Sequence, residues 1–564
     1  MDQAGISYFL GPYQSAHENA LQKMRRNSIA ARIWANDFNV WKPSPHEITN
    51  RLGWLSAPSE TLGNLHHIRS ILQPLTSDGL SDVVLLGMGG SSLAADVFNR
   101  IFGSAPGFPK LQILDTTDPA VILETADRLD PKKALFLVSS KSGTTLEVVS
   151  LFHYFYQLTE RKLGAQAAEH FIVITDEGSP MLETAWQHKL RYVFVNNPNI
   201  GGRYSALSLP GIVPAAMIGV DIEKLLHNAV AAARQEKADF FSGGNDSEGF
   251  RLGAALGVLA QYGRDKLTLI LPPQWIAFGD WLEQLIAEST GKEGKGIVPV
   301  VSEPQPDAGV YGKDRAFVVF DNGSALWETR IADVASAGHP ILKIRIDDAY
   351  DLGRQMFLWE MATAVASHWM GIHPFDQPDV EATKIHTRQS IEQFKINRTW
   401  PGEKPAITTG NADVYGDIAG ATPDEALVNF LSEGQPGAYA ALLVYLSPSD
   451  PIDQALSCLR KALIRKFKMA VTIGYGPRYL HSTGQLHKGD AGHGLFIVLT
   501  DDIKKDAGIP DVFGKPESSM TFGELKTAQG AGEIKALREK GRRVIRVHFK
   551  SDAAAELAGL ASRL

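Results

Sequence analysis

The sequence predicts an α/β protein, with two doubly wound parallel-sheet domains followed by a third, C-terminal α/β block. Three observations lead there. Short apolar runs alternate with helix-period patterns from about residue 81 to 220, again from 266 to about 397, and a third time from about 438 to the end. Runs such as Ala134-Leu-Phe-Leu-Val138 are apolar throughout, as strands buried on both faces are. Two of the runs end in loops rich in glycine or hydroxyl side chains, each followed by a helical pattern.

In chain order, residues 1–80 read as mostly helical, with Trp34, Trp41 and Trp54 as packing anchors. The first sheet domain, 81–245, takes strands 82–87, 111–115, 134–139, 171–175 and 191–195. A loop with Gly243, Gly244 and Asn245 leads to a helical pattern near 250–263. The second domain, 246–400, takes strands 266–271, 316–320 and 341–346 and closes with helical patterns at 355–371 and 378–397. Trp400-Pro-Gly-Glu-Lys-Pro405 and the Gly-, Asn- and Asp-rich residues to about 420 read as a linker. The third block, 421–564, takes strands near 438–446, 470–474, 494–499 and 543–548, and its last helix, from Ala553, is expected to dock.

Composition narrows the class. The chain has 564 residues, 44% hydrophobic and 21% charged, which suits a multidomain globular protein. Its net charge of -7 offers no basic footprint for a nucleic-acid partner. The single cysteine, Cys458, excludes an internal disulfide framework and a thiolate metal cluster, and fits a reducing compartment. Met-Asp-Gln-Ala-Gly at the start lacks the charged-then-apolar pattern of a signal peptide, and no apolar run reaches the ~18 residues of a membrane span. A cytoplasmic protein without a membrane partner is expected. No His/Asp/Glu cluster has convincing metal-ligand spacing, and neither a metal nor a cofactor is expected.

Ser140-Lys-Ser-Gly-Thr-Thr-Leu-Glu147 sits where a strand hands over to a helix start, a place whose free N–H groups and dipole suit a phosphate. Ser140, Ser142, Thr144 and Thr145 add neutral donors. Upstream, Gly87-Met-Gly-Gly-Ser-Ser92 follows another strand; its glycines allow a tight turn and a close backbone approach. A dinucleotide fingerprint is the rival there, with Asp115 as ribose-binding acid, although Ser92 stands at the third glycine position. Gln284 and Glu288, four apart on an amphipathic helix, share a face, and the helix ends in the basic, flexible Gly291-Lys-Glu-Gly-Lys-Gly296. Glu288 is a general-base candidate beside room for a substrate, or else a solvated helix-end acid. Arg203, in Gly201-Gly-Arg-Tyr-Ser205 before an apolar helix, is a cation for an enolate-like oxygen or a structural ion pair. Pro374-Phe-Asp-Gln-Pro-Asp-Val-Glu-Ala-Thr-Lys384 is a loop entering a helix, with Pro378 in the first turn and Glu381 placed to pair with Lys384.

Taken in order, these motifs resemble the phosphoglucose isomerases: Gly89-Gly90-Ser91, Ser140-Lys-Ser-Gly-Thr-Thr145, Gly201-Gly-Arg-Tyr-Ser205, Gln284 to Ser289, and Asp376 to Lys384. The first 80 residues and the third block resemble the isomerase half of bacterial transaldolase–phosphoglucose isomerase fusions; the transaldolase half is absent, so no aldol transfer is expected. The resemblance implies sugar-isomerase (SIS-type) sheet domains and a small sugar-phosphate substrate. It implies interconversion of glucose 6-phosphate and fructose 6-phosphate, a step of glycolysis and gluconeogenesis, through a cis-enediol. It also implies a homo-oligomer, by preference a dimer. Carried over by motif, Ser91, Ser140, Ser142 and Thr145 hold the phosphate with Lys141 nearby, and Gly90 belongs to the substrate site. Glu288 moves the proton and Arg203 offsets enediolate charge. Gln284, Gln377 and Glu147 line the sugar, and Lys384 contacts sugar or phosphate and helps ring opening.

The family also uses a histidine, downstream of the glutamate, to open the ring. Residues 303–314 contain none. Tyr479-Leu-His-Ser-Thr-Gly-Gln-Leu-His-Lys-Gly489 resembles the Leu-His-Ser-x-Gly-Gln segment of short bacterial members, so His481 is expected to take that role, from the same chain or a neighbouring subunit, with a structural loop histidine as the alternative. His487 and His386 are the weaker alternatives. A non-catalytic sugar-phosphate sensor and a nicotinamide oxidoreductase are the competing functions.

Overall fold

The computed structural model describes residues 5–76, 79–241, 247–304, 308–323, 325–397 and 403–564. The Gly243–Asn245 loop and part of the expected linker lie outside them.

The first sheet contains β2 (Asp82–Leu86), β3 (Lys110–Leu114), β4 (Ala134–Ser139), β5 (Phe171–Asp176) and β6 (Tyr192–Asn196), all parallel, in the order β3-β2-β4-β5-β6. After β2 the chain steps outward to β3, then crosses back to β4 on the other side of β2. This reversal opens a crevice beyond the carboxyl ends of β2 and β4, where such sheets bind ligands. Leu86 pairs with Val138, so the Gly87–Ser92 and Ser140–Thr145 loops, a strand apart in sequence, leave neighbouring strands.

The second sheet has the order β1-β10-β9-β7-β8, from β7 (Lys266–Ile270), β8 (Val298–Val300), β9 (Arg315–Asp321) and β10 (Ile341–Arg345), with β1 (Ile6–Phe9) antiparallel on its edge. The N-terminal segment is therefore not wholly helical: its strand completes a sheet formed more than 250 residues later. The short β8 was not expected either; its proline masks the strand pattern. Trp54 and Trp41 are buried as anchors, and the Trp41 indole N–H donates to the Ala364 carbonyl at 2.8 Å.

The third sheet joins β11 (Ile407–Thr408), β12 (Ala412–Tyr415), β13 (Tyr439–Tyr445), β14 (Ala470–Tyr475), β15 (Gly494–Asp501) and, after a small hairpin of β16 (Gly508–Ile509) and β17 (Met520–Thr521), β18 (Arg543–Phe549). Its order is β11-β12-β18-β15-β13-β14. The expected linker thus supplies β11 and β12, which pair antiparallel at one edge. The last helix, Ala553–Arg563, docks as expected through Leu557 and Leu560.

Five helices position the site: α1 (Leu146–Leu163), α2 (Ile276–Thr290), α3 (Val380–Asn397), α4 (Gly484–Gly489) and α5 (Phe522–Glu539). The third block packs on both other sheets. Phe522 and Leu525 of α5 join the core behind β4 and β5, where Phe513 lies 4.6 Å from Phe152 between ring centres. Tyr479 and Leu486 pack with Ala287 of α2 and with Val298 and Val300. The Gly291–Gly296 loop is held rather than flexible: a Cβ on Gly291 would lie 2.3 Å from the Leu486 Cα, and Lys292 is buried.

A buried ion pair fixes α4, α5 and α3 together. Lys488 Nζ lies 2.7 and 2.9 Å from the two Glu533 carboxylate oxygens, and Thr383 donates to the same carboxylate at 2.6 Å. Removing one partner of such a pair typically costs about 3–5 kcal/mol, whereas exchanging both for apolar groups is nearly neutral. Lys488→Met is therefore expected to lower unfolding free energy by about that amount, and Lys488→Met with Glu533→Leu to recover most of it, both read by denaturant titration. Equal losses in the single and double variants would contradict this account of the interface.

Candidate active site

A cavity of about 690 Å³ lies where the first and second sheet domains meet the third block. The Gly87–Ser92 and Ser140–Thr145 loops each reach it through a required glycine. A Cβ on Gly90 would lie 2.0 Å from the Gly202 carbonyl oxygen, so this loop and the Arg203 loop touch backbone to backbone. Gly143 has φ +67°, and a Cβ there would lie 2.9 Å from Met181.

Gly90, Ser91, Lys141, Ser142, Thr144, Thr145, Glu147, Arg203, Gln284, Glu288, Gln377, Lys384 and His481 all line the cavity. Thr145 is the N-cap of α1, yet its side chain caps no helix N–H. The start of α1 thus faces the cavity with a hydroxyl and backbone donors in place, an anion-binding arrangement. Ser140 is the exception among the expected phosphate residues. It is buried under the loop, accepts from the Gly143 N–H at 3.2 Å and lies 3.4 Å from the Thr145 hydroxyl, so it shapes the turn and does not line the cavity. Lys141 is ion-paired with Asp176 and donates to the Pro198 carbonyl at 2.8 Å.

The other wall is α2, which is not amphipathic: every residue from Gln284 to Thr290 is buried. Glu288 is 7% exposed, which removes the solvated helix-end reading. Its Oε1 is 3.3 Å from Arg203 Nη1, and its Oε2 accepts from the Gln284 amide at 3.1 Å. Arg203, 3% exposed, is held on every side: it donates to Ser289 Oγ (2.8 Å), Gln377 Oε1 (3.2 Å) and the carbonyls of Pro374 (2.5 Å) and Asp376 (3.0 Å). Nearby, Lys292 donates to the His373 carbonyl at 2.7 Å and pairs with Asp376 at 2.7 Å. Burial, with the Arg203 charge beside it, pushes Lys292 down to about 7 despite Asp376. Lys384 pairs with Glu381 at 3.3 Å as the spacing suggested, although Pro378 lies just ahead of α3 and not in its first turn.

His481 comes from the same chain. It follows β14 in a turn that carries it over the cavity, where its Nε2 lies 3.0 Å from Glu147 Oε1. The Gln284 amide donates to the His481 carbonyl at 2.7 Å, tying it to the Glu288 helix. Burial disfavours the His481 cation, but Glu147 outweighs this and, with Glu288, holds His481 above the ordinary histidine value. Glu147 likewise stays below the usual carboxylate range: burial opposes its charge, and His481 more than offsets it. The two alternatives lie elsewhere. His487 is buried against Tyr479 and Phe496, and His386 pairs with Glu539 at 2.6 Å; neither lines the cavity.

Asp115 is not open to a ribose. It accepts from the Ser92 hydroxyl at 3.1 Å and pairs with Arg478 of the third block at 3.4 Å. Sequence reasoning missed Arg51, Asn199, Arg388 and Gln529, which also line the cavity; they belong to none of the motifs and carry no local signal. Among the described residues no group of His, Cys, Asp and Glu is placed to hold a metal, and no helix is long and apolar enough to cross a membrane.

Largely parallel sheets meeting over a cavity lined by a helix start, the Glu288–Arg203 pair and the His481–Glu147 pair make this an α/β protein of the sugar-isomerase fold class. The family model for phosphoglucose isomerase matches residues 66–295. A protein of Haloarcula marismortui named "Probable glucose-6-phosphate isomerase" is 30% identical over 359 residues, covering 56% of this chain and 79% of that protein. The glucose-6-phosphate isomerase of Mycoplasmopsis pulmonis is 26% identical over 394 residues, 61% of this chain and 90% of that one. The crystal structure of a hypothetical protein from Thermus thermophilus shares the fold, with a TM-score of 0.55 at 21% identity, over 68% of this chain and 99% of that chain. The chain belongs to the phosphoglucose isomerase family.

Proposed function

We propose that the protein interconverts glucose 6-phosphate and fructose 6-phosphate by proton transfer between C2 and C1 through a cis-enediol. The observation that carries this reading is the buried Glu288 carboxylate, 3.3 Å from Arg203, in the same cavity as the His481–Glu147 pair. Glu288 takes the proton from one carbon and returns it to the other, and Arg203 offsets the charge on the enediolate oxygen. His481, held by Glu147, relays the proton between the anomeric hydroxyl (C1 of the aldose, C2 of the ketose) and the ring oxygen when the ring opens, and Lys384 lies on the same wall to assist. The phosphate sits at the start of α1 with Ser142, Thr145 and Ser91, and Gln284 and Gln377 orient the sugar. A pure sensor would have no use for a buried carboxylate poised against an arginine. The cytoplasm and a homo-oligomer, first of all a dimer, complete the proposal on family grounds, although the residues named here come from one chain.

The test is a coupled assay in which glucose 6-phosphate formed from fructose 6-phosphate is detected continuously. Steady formation is expected; none, with folded protein, would refute the proposal. The phosphate position is checked separately. A hydrogen bond to a charged group is worth about 1.5–3 kcal/mol, so Thr145→Val is expected to raise KM roughly ten- to a hundredfold with kcat little changed. An unchanged KM would move the phosphate elsewhere.

A further inference from the structure

We propose that Gln529, on α5 of the third block, is a positioning residue for the His481–Glu147 pair, holding the Glu147 carboxylate in place to orient the ring-opening histidine. This deepens the isomerase reading and rests on it. Gln529 is 3% exposed, and its amide Nε2 donates to Glu147 Oε1 at 2.8 Å, the same oxygen that meets His481 Nε2 at 3.0 Å. The amide is fixed at its other end, because Oε1 accepts from the Thr117 hydroxyl at 2.8 Å. Reversing the amide would set its oxygen against a carboxylate oxygen, so this orientation is the one the carboxylate requires. The third block therefore grips Glu147 twice, once with the histidine and once with a neutral donor that cannot lose a proton. Glu147 is thereby kept ionised and aimed at Nε2, which leaves His481 Nδ1 as the ring nitrogen for proton exchange.

Among the described residues the charged groups around this pair are few. His481 and Lys384 act on Glu147, while Glu147 and Glu288 favour the His481 cation and Lys384 opposes it. Tyr445 senses both Glu147 and Glu533 from the third sheet. Along α5, Lys526 is paired with Asp118 and Glu533 with Lys488.

The experiment compares two substrates and two variants over a range of pH. Fructose 6-phosphate must open its ring, whereas a four-carbon aldose phosphate cannot close one. Gln529→Met keeps the side-chain length and removes both hydrogen bonds. It is expected to lower kcat on the cyclic sugar about tenfold or more, with KM within about threefold and little loss on the open-chain substrate. Gln529→Glu restores a donor only while the introduced carboxyl is protonated. Two carboxyls in contact share a proton, so one of them titrates well above the ordinary range. Activity relative to wild type should then be near normal at about pH 5 and fall progressively towards about pH 8, as the shared proton is lost and the two charges repel. A variant-to-wild-type ratio that does not change with pH, or equal losses on both substrates in Gln529→Met, would overturn the role of Gln529 while leaving the isomerase reading intact. Wild-type protein inactive on both substrates would overturn the isomerase reading, and this role with it. If Gln529→Glu does not fold, the two-substrate comparison in Gln529→Met decides alone.

Discussion

Glu288→Gln is expected to cut turnover of fructose 6-phosphate by about 10²–10⁴-fold or more while leaving the affinity for an unreactive sugar-phosphate analogue within a few fold. The substitution is close to isosteric, and the side chain stays within reach of Arg203 and Gln284, which now hold it at 3.3 and 3.1 Å. What it removes is the basic lone pair, and with it the only step that breaks a carbon–hydrogen bond. Because that interaction is realised in the transition state, the loss should fall on kcat and leave ground-state binding nearly untouched. Steady-state kinetics with analogue titration on the same preparation checks both halves. Wild-type-like turnover in the purified variant would remove Glu288 from the mechanism.

His481→Ala is expected to lower kcat on fructose 6-phosphate by roughly 10²-fold or more, and to lower it far less on an open-chain aldose phosphate. Ring opening needs one proton taken from the anomeric hydroxyl, which is on C2 in fructose 6-phosphate and on C1 in glucose 6-phosphate, and one delivered to the ring oxygen, a shuttle suited to a histidine. The raised proton affinity that Glu147 gives His481 keeps more of it protonated near neutrality. The open-chain substrate bypasses this step and still depends on Glu288. His487→Ala is the control, since His487 sits six residues away in the same motif but is packed against Phe496 at 5.0 Å between ring centres. Equal losses on both substrates in His481→Ala would make His481 a general sugar contact; a selective loss in His487→Ala would transfer the role.

What the sequence made legible, and what it hid, divides along physical lines. Strands buried on both faces announce themselves as apolar runs, so β2, β4 and β5 were readable, and with them the loops that ring the cavity. Motif spacing also brought out Gln284 with Glu288 and Glu381 with Lys384, because helical periodicity turns four or three residues into one face. The antiparallel edge strands were hidden. Ile6–Phe9 becomes a strand only by pairing with Ile341–Arg345, and 407–415 reads as a linker because edge strands tolerate polar and turn-forming residues. Burial of charge was hidden too. Lys292 looks like part of a solvated basic loop until the Asp376 loop and the His373 carbonyl close around it. Ser140 looks like a ligand donor in sequence, yet the tight turn at Gly143 draws its hydroxyl inward. Gln529 had no signal at all: a single amide in an ordinary helix gains meaning only from the Glu147 carboxylate 382 positions away.

The central claim is that hydrogen moves between C1 and C2 as a proton, through Glu288. It is tested most directly by following fructose 6-phosphate in deuterated water with proton NMR. The account expects deuterium at C2 of the glucose 6-phosphate formed, at a rate that collapses in Glu288→Gln. Product that forms with its C2 hydrogen wholly derived from the substrate, at a rate unaffected by Glu288→Gln, would show a hydride-type transfer and contradict it.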